Sequence, residues 1–337
     1  MIAEADILAC RAAIRTGSLS FHSASRLLPR RVCDPALALY AFCRLSDDAV
    51  DEGADKTEAV LHLRDRLDRI YAGQPFDAAP DRAFAAVVEE FEMPRELPDA
   101  LLEGMAWDAT GRRYDTLSGV LDYSARVAAV VGVMMCVLMR VREADALARA
   151  CDLGLAMQLS NIARDVGEDA RAGRVYLPLD WLAEEGITPD TLFALREPTP
   201  GLRRVVRRLL AQARRLYWRS ESGIGALPLA CRPGIWAARL IYDGIGGAVA
   251  RNGFDSLTRR AHTSKLQKLA WLGEAGLRAA LTSVMPQPAI IHASPEPEVA
   301  FLVNAAARGG VVRGRSDALL SVLAQLEARD RNRRASA

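Results

Sequence analysis

The 337 residues are half apolar and carry 44 basic against 42 acidic side chains, a net charge of +2. Such a composition supports a large buried core, excludes a disordered chain, and gives no general attraction to nucleic acid or to an anionic surface. Six scattered cysteines without a C-x-x-C pair, and an amino terminus lacking a basic start and a long apolar run, are expected of a reducing, cytoplasmic protein without disulfides.

Apolar residues recur at spacings of three and four while alternating runs are scarce, so the expected class is all-α. In chain order, the first distinctive helix is "YAFCRLSDDAVDE", where Asp47 and Asp51 share one stripe and Asp48 and Glu52 the next. Breakers at 72–81 and 92–99 separate the helices that follow. "VAAVVGVMMCVLM", Val127 to Met139, falls short of the roughly 20 residues of a membrane span and reads as a buried helix. The next long helix ends in "QLSNIARDVGED", which stacks Asn161, Asp165 and Asp169 on one face with Gln158 a turn earlier. Breakers at 186–201 and 227–234 bracket more amphipathic helices, among them "LRRVVRRLLAQARRLYWRS", whose arginines suit a solvated face. One domain over 1–284 is therefore expected, then a proline-rich linker over 285–298 and a helical tail over 299–337.

Like charges four apart destabilise a helix by roughly 0.2–0.5 kcal/mol per pair, so each acidic stripe asks for a cation. Oxygen donors without His or Cys suit Mg2+, which binds through few carboxylates together with phosphate oxygens of a substrate and so points to a diphosphate. A solvated acidic face is the plainer account of one such stripe; two of them, each with apolar neighbours, favour a metal. The four histidines are dispersed, and neither H-E-x-x-H, G-x-G-x-x-G nor G-x-x-x-x-G-K-[ST] occurs, so no zinc or nucleotide fingerprint is present.

Four stretches, "GSLSFHSASRLLPRRVCDPALALYAFCRLSDDAVDE", "GMAWDATGRRYDTLSGVLDYSARVAAVVGVMM", "AMQLSNIARDVGEDARAGRVYLP" and "GIGALPLACRPGIWAARLIYDGIG", together resemble the squalene and phytoene synthase family, from about Gly17 to Lys268. The resemblance implies a single-domain, all-α class I isoprenoid synthase bundle around a central cavity. It implies that Asp47, Asp51, Asn161, Asp165 and Asp169 bind Mg2+, with Mn2+ as a substitute, and that Arg44 joins the four aspartates in catalysis. It further implies Ser18, Ser20, Arg44, Asp48, Gln158, Arg164, Arg174, Tyr176 and Tyr242 as substrate contacts. Val127, Ala128, Val131, Gly132 and Met135 could wall a dry cavity, though a plain packing stripe looks the same.

The implied reaction joins two geranylgeranyl diphosphates head to head into phytoene through prephytoene diphosphate, the first committed step of carotenoid synthesis, without NAD(P)H. Two alternatives stay open: a C15-using relative making squalene, dehydrosqualene or presqualene diphosphate, and a non-catalytic assembly factor. Ala125 stands where several relatives have the second tyrosine of a Y-C-Y stretch, which removes any diphosphate contact expected from that position. Peripheral contact of a cytoplasmic enzyme with the inner membrane is expected from the apolar substrate. Contact with downstream carotenoid enzymes is left open, and no nucleic-acid partner is expected.

Overall fold

The computed structural model describes residues 2–17, 27–52, 56–285 and 287–308; the side chains of 13–17, 45–52, 56 and 57 lie outside the described residues. Ser18 and Ser20 fall outside them entirely, and so does the tail beyond 308. Among the described residues there are helices and no strand. They are α1 (Glu4–Gly17), α2 (Arg30–Glu52), α3 (Lys56–Tyr71), α4 (Ala79–Phe91), α5 (Glu96–Ala109), α6 (Leu117–Ser124), a π-helical turn (Ala125–Ala129) and α7 (Val130–Leu138). Then come α8 (Ala144–Arg171), α9 (Leu179–Glu184), α10 (Pro189–Ala194), α11 (Pro200–Ile224), α12 (Arg232–Arg251), α13 (Lys265–Val284) and α14 (Ala300–Ala306).

The breakers act as caps. Thr199 accepts a hydrogen bond from Leu202 N ahead of Pro200, and Ser264 forms a reciprocal capping box with Gln267. The breaker region 186–201 also holds a short helix of its own, α10, capped by Thr188. All six cysteines are free thiols, as the sequence leads one to expect.

The 28-residue α8 runs through the middle of the bundle, packed on α7, α11, α12, α14 and the π-helical turn. Leu117–Leu138 is continuous and, by length and composition, apolar enough to cross a membrane, but two-thirds of it is buried inside the protein. It is a core helix, in keeping with the reading of Val127–Met139. Its π-helical turn is wider than an α-turn and needs room on both sides. Glycine supplies it: a Cβ at Gly104 of α5 would lie 2.7 Å from Val127, and one at Gly154 of α8 only 2.4 Å from the Ala129 Cα.

Residues 287–299 lie against α8 and α11. Arg149 donates to the Ile290 carbonyl at 2.7 Å, Arg219 donates to the Ser294 carbonyl at 2.8 Å, and Glu296 pairs with Arg215 and Arg219. Arg149 and Arg219 also meet the fully buried Asp152, at 2.8 and 3.1 Å. Charges this deep persist only when paired, so the cluster ties the connection to the bundle.

Candidate functional site

A cavity of about 490 Å3 runs between α2, α5, the π-helical turn with α7, α8, α11 and α12. Its walls include the five residues singled out from the sequence, Val127, Ala128, Val131, Gly132 and Met135. Packing stripe and cavity wall are thus one surface: the helix that lines the hollow also packs on α8, where a Cβ at Gly132 would lie 2.9 Å from the Ala150 carbonyl oxygen. A second, polar chamber of about 200 Å3 adjoins it, lined by Asn161, Asp165, Asp169, Arg174 and Tyr176. Met105, Asp108, Tyr123, Gln158 and Asn161 line both, so they mark the junction.

Local sequence builds the polar chamber. Helical spacing on α8 puts Gln158, Asn161, Asp165 and Asp169 on the face that looks into it. α8 then ends in a Schellman turn: Gly173, at φ 71°, donates to Ala170 O, and Arg174 N donates to Asp169 O at 2.8 Å. The reversal carries Arg174 and Tyr176 back beside the last turn of the helix. A second Schellman turn at Gly253 closes α12, and Asp255 caps the backbone of Leu257 and Thr258. This loop rests on Gly167, whose amide donates to Ser256 O at 2.9 Å.

Arg260, on the same loop, reaches Asp165 at 3.0 Å and Glu168 at 3.2 Å. Arg164 takes Asp165 in a two-pronged pair, 2.7 and 2.5 Å. Asp165 is therefore already compensated by two arginines, and Arg164 lines neither chamber: it acts on the carboxylate. Asp169 differs. Burial first, then the Asp165 carboxylate, pushes its carboxyl up to about 7, and Arg174 only partly offsets this. A buried carboxyl set beside a second carboxylate favours a cation shared between them.

From the opposite wall, α2 turns Ala36, Leu39, Tyr40 and Cys43 into the apolar cavity. The same register carried along the helix arrives at positions 47 and 51. The side chains of Asp47, Asp48 and Asp51 lie outside the described residues. Arg44 is exposed and lines neither chamber, whereas Tyr242 of α12 lines the apolar one. Among the described residues no three His, Cys, Asp or Glu side chains converge as a metal cage. The α8 stripe offers two carboxylates and an amide, a hard oxygen set that fits a divalent ion such as Mg2+ if further ligands join from α2.

Two contributors escaped sequence reasoning. Asp108 accepts hydrogen bonds from Tyr123 Oη at 2.8 Å and Tyr176 Oη at 2.7 Å. Burial pushes both phenols above their ordinary range, so they stay protonated donors. A faint signal existed in "LLEGMAWD", where Asp108 continues the apolar stripe of Leu101 and Met105. Arg260 gave none, since its reach to Asp165 spans 95 residues. Ala125 is fully buried and lines neither chamber; the phenols here are Tyr123, at the junction, and Tyr176, in the polar chamber.

The sequence model of the family described as squalene/phytoene synthase matches residues 14–267. The chain is 66% identical to a phytoene synthase of Cereibacter sphaeroides over 98% of this chain and 96% of that one. It is 64% identical to a phytoene synthase of Rhodobacter capsulatus, over 98% of each. Among solved structures it resembles a dehydrosqualene synthase in complex with ligand, with a TM-score of 0.76 and 29% identity over 82% of this chain and 98% of the other. It also resembles a squalene synthase of Alicyclobacillus acidocaldarius, with a TM-score of 0.69 and 27% identity over 74% and 95%.

Proposed function

The chain belongs to the squalene/phytoene synthase family, and on that premise we propose that it is a prenyltransferase joining two geranylgeranyl diphosphates head to head into phytoene, through prephytoene diphosphate. The observation that carries the reading is the continuity of an apolar hollow with an acidic chamber, through five shared residues. A prenyl tail needs the first and a diphosphate the second. The step opens carotenoid synthesis.

In this reading Asn161, Asp165 and Asp169 hold divalent metal from α8, and Asp47 and Asp51 hold it from α2. Mg2+ suits these donors best, with Mn2+ as a substitute. Bound metal supplies positive charge for the departing diphosphate. Arg174 adds a charge-assisted donor at the chamber wall, and Ser18, Ser20, Arg44 and Asp48 are proposed at the same end. Arg164 and Arg260 orient Asp165.

The prenyl chain lies along Val127, Ala128, Val131, Gly132 and Met135, a wall without a nucleophile that would trap an allylic cation. The alkene of the second substrate attacks that cation, and proton loss closes the cyclopropane of prephytoene diphosphate. A second ionisation, rearrangement and proton loss give phytoene, with no reductant consumed. Gln158 and the Tyr123–Asp108–Tyr176 cluster stand where diphosphate and chain meet, and Tyr242 contributes to the wall. Such apolar substrates place a cytoplasmic enzyme in peripheral contact with membrane lipid.

The test is product identification after incubating purified protein with Mg2+ and either C20 or C15 diphosphate. Phytoene from the C20 substrate, lost with chelator, is expected; a C30 hydrocarbon from the C15 substrate as the main product would overturn the assignment. Asp165→Ala should abolish turnover. An unchanged rate would remove Asp165 from the reaction, and a wild type that turns over neither substrate would favour a non-catalytic role instead.

A further inference from the structure

α13 has apolar character on two opposite faces. Ala275 and Ala279 are buried, and Trp271 and Leu272 pack beside them against Trp236, Ala237 and Leu240 of α12. The side away from the bundle should be polar on a solvated helix. Instead Leu266, Leu269, Leu277, Leu281 and Val284 stand between 46% and 82% exposed. With Ala270, Gly273 and Ala280 they fill an arc of about 120° over roughly 30 Å of helix, with no charge inside it.

We infer that this outward face of α13 is a membrane-docking surface that settles on anionic lipid. The charge next to it fits. Between Asp255 and Glu274 the chain holds Arg259, Arg260, Lys265 and Lys268 and no acid. Arg260 is engaged with Asp165, while Arg259 and Lys265 are exposed at the end where the leucine stripe starts. Glu274 flanks the stripe on its other side and is paired with Arg278 at 2.8 Å, which leaves the basic residues in excess; an apolar stripe so bordered is the pattern of a helix lying in a lipid interface.

A second copy of the chain fits less well. A stable dimer uses about 20–30 residues a side, and this stripe offers eight while bringing like charges together. The position in the fold also suits lipid. α12 presents Ile235, Ala238 and Tyr242 to the apolar cavity and Trp236 and Leu240 to α13, so one helix separates the docking face from the cavity. Only the cargo, a hydrocarbon that belongs in a bilayer, rests on the function proposed above.

The experiment is sedimentation of the full-length protein with sucrose-loaded vesicles of phosphatidylglycerol mixed with phosphatidylethanolamine, or of phosphatidylcholine alone. The wild type should bind the anionic vesicles and hardly the neutral ones. Leu269→Glu with Leu277→Glu should weaken binding on the order of a hundredfold. Arg259→Glu with Lys265→Glu should weaken it by about tenfold or more. Unchanged thermal midpoints and unchanged turnover of detergent-dispersed substrate would exclude misfolding.

Equal binding by the leucine variant would overturn the inference. So would a wild type that ignores vesicles and forms a dimer that the leucine substitutions dissociate, since the occupant is then a second copy. Binding that emerges only after Leu319→Glu and Leu323→Glu would overturn it in favour of the chain's own tail. Vesicle binding is read without product, so failure to form phytoene would sink the proposed function and leave this result standing.

Discussion

Gly167 sits between Asp165 and Asp169, and its replacement by alanine sets helix propensity against tertiary packing. Propensity alone favours Gly167→Ala by about 1 kcal/mol. The added Cβ, however, would lie 2.1 Å from the Leu257 carbonyl oxygen and 2.8 Å from its carbon. To reach ordinary contact the loop must retreat by about 1.3 Å, overpacking of a kind that costs about 1–3 kcal/mol. Its hydrogen bond from Gly167 N to Ser256 O goes too, another 0.5–1.5 kcal/mol or so. The half-exposed Arg260–Asp165 pair adds little to this sum.

The net expectation is a loss of about 1–3 kcal/mol, read as a lower urea midpoint at unchanged slope by circular dichroism. Gly276→Ala on α13 is the control. A Cβ there meets nothing within 4 Å, so the same substitution should stabilise by about 0.4–1 kcal/mol. If both variants move the midpoint upward, the loop does not press on α8 as described and the placement of Arg260 falls with it.

Asp108→Asn removes the charge that two phenols bond to and should lower turnover by about 10–100-fold with the fold intact; a change under about twofold would make the cluster structural only. With the Asp169 carboxyl at about 7, Mn2+ binding followed by electron paramagnetic resonance should weaken about tenfold per pH unit below 7 and level off above, because metal and proton compete. For the metal-free fold the sign is reversed. The unfolded carboxyl ionises near pH 4, so stability is fully present below that and declines as pH rises from about 4 to 7. Val131→Phe fills the apolar cavity and should depress C20 turnover far more than C15 turnover; equal losses would mean that the chain does not lie there. Arg149→Met leaves Asp152 buried beside Arg219 alone and should cost about 3–5 kcal/mol of stability, measured by the same urea titration.

The sequence by itself determined what depends on spacing along one helix. Asn161, Asp165 and Asp169 share a face because 3.6 residues make a turn, and the Gly173 and Gly253 turns follow from glycine's access to positive φ. The all-helical class and the positions of the breakers follow from the same local rules, and sequence likeness to the family supplied the chemistry that spacing could only suggest. Tertiary structure decided what faces that stripe. Asp108 joins the site because α5 packs on the π-helical turn that follows Tyr123, where Tyr123 and Tyr176 both reach its carboxylate, and Arg260 arrives from 95 residues away because Gly167 lets its loop approach. The open face of α13 is a tertiary fact as well, since periodicity records two apolar stripes but not which of them finds a partner. Burial depends on what the rest of the chain brings alongside, and no local pattern encodes that.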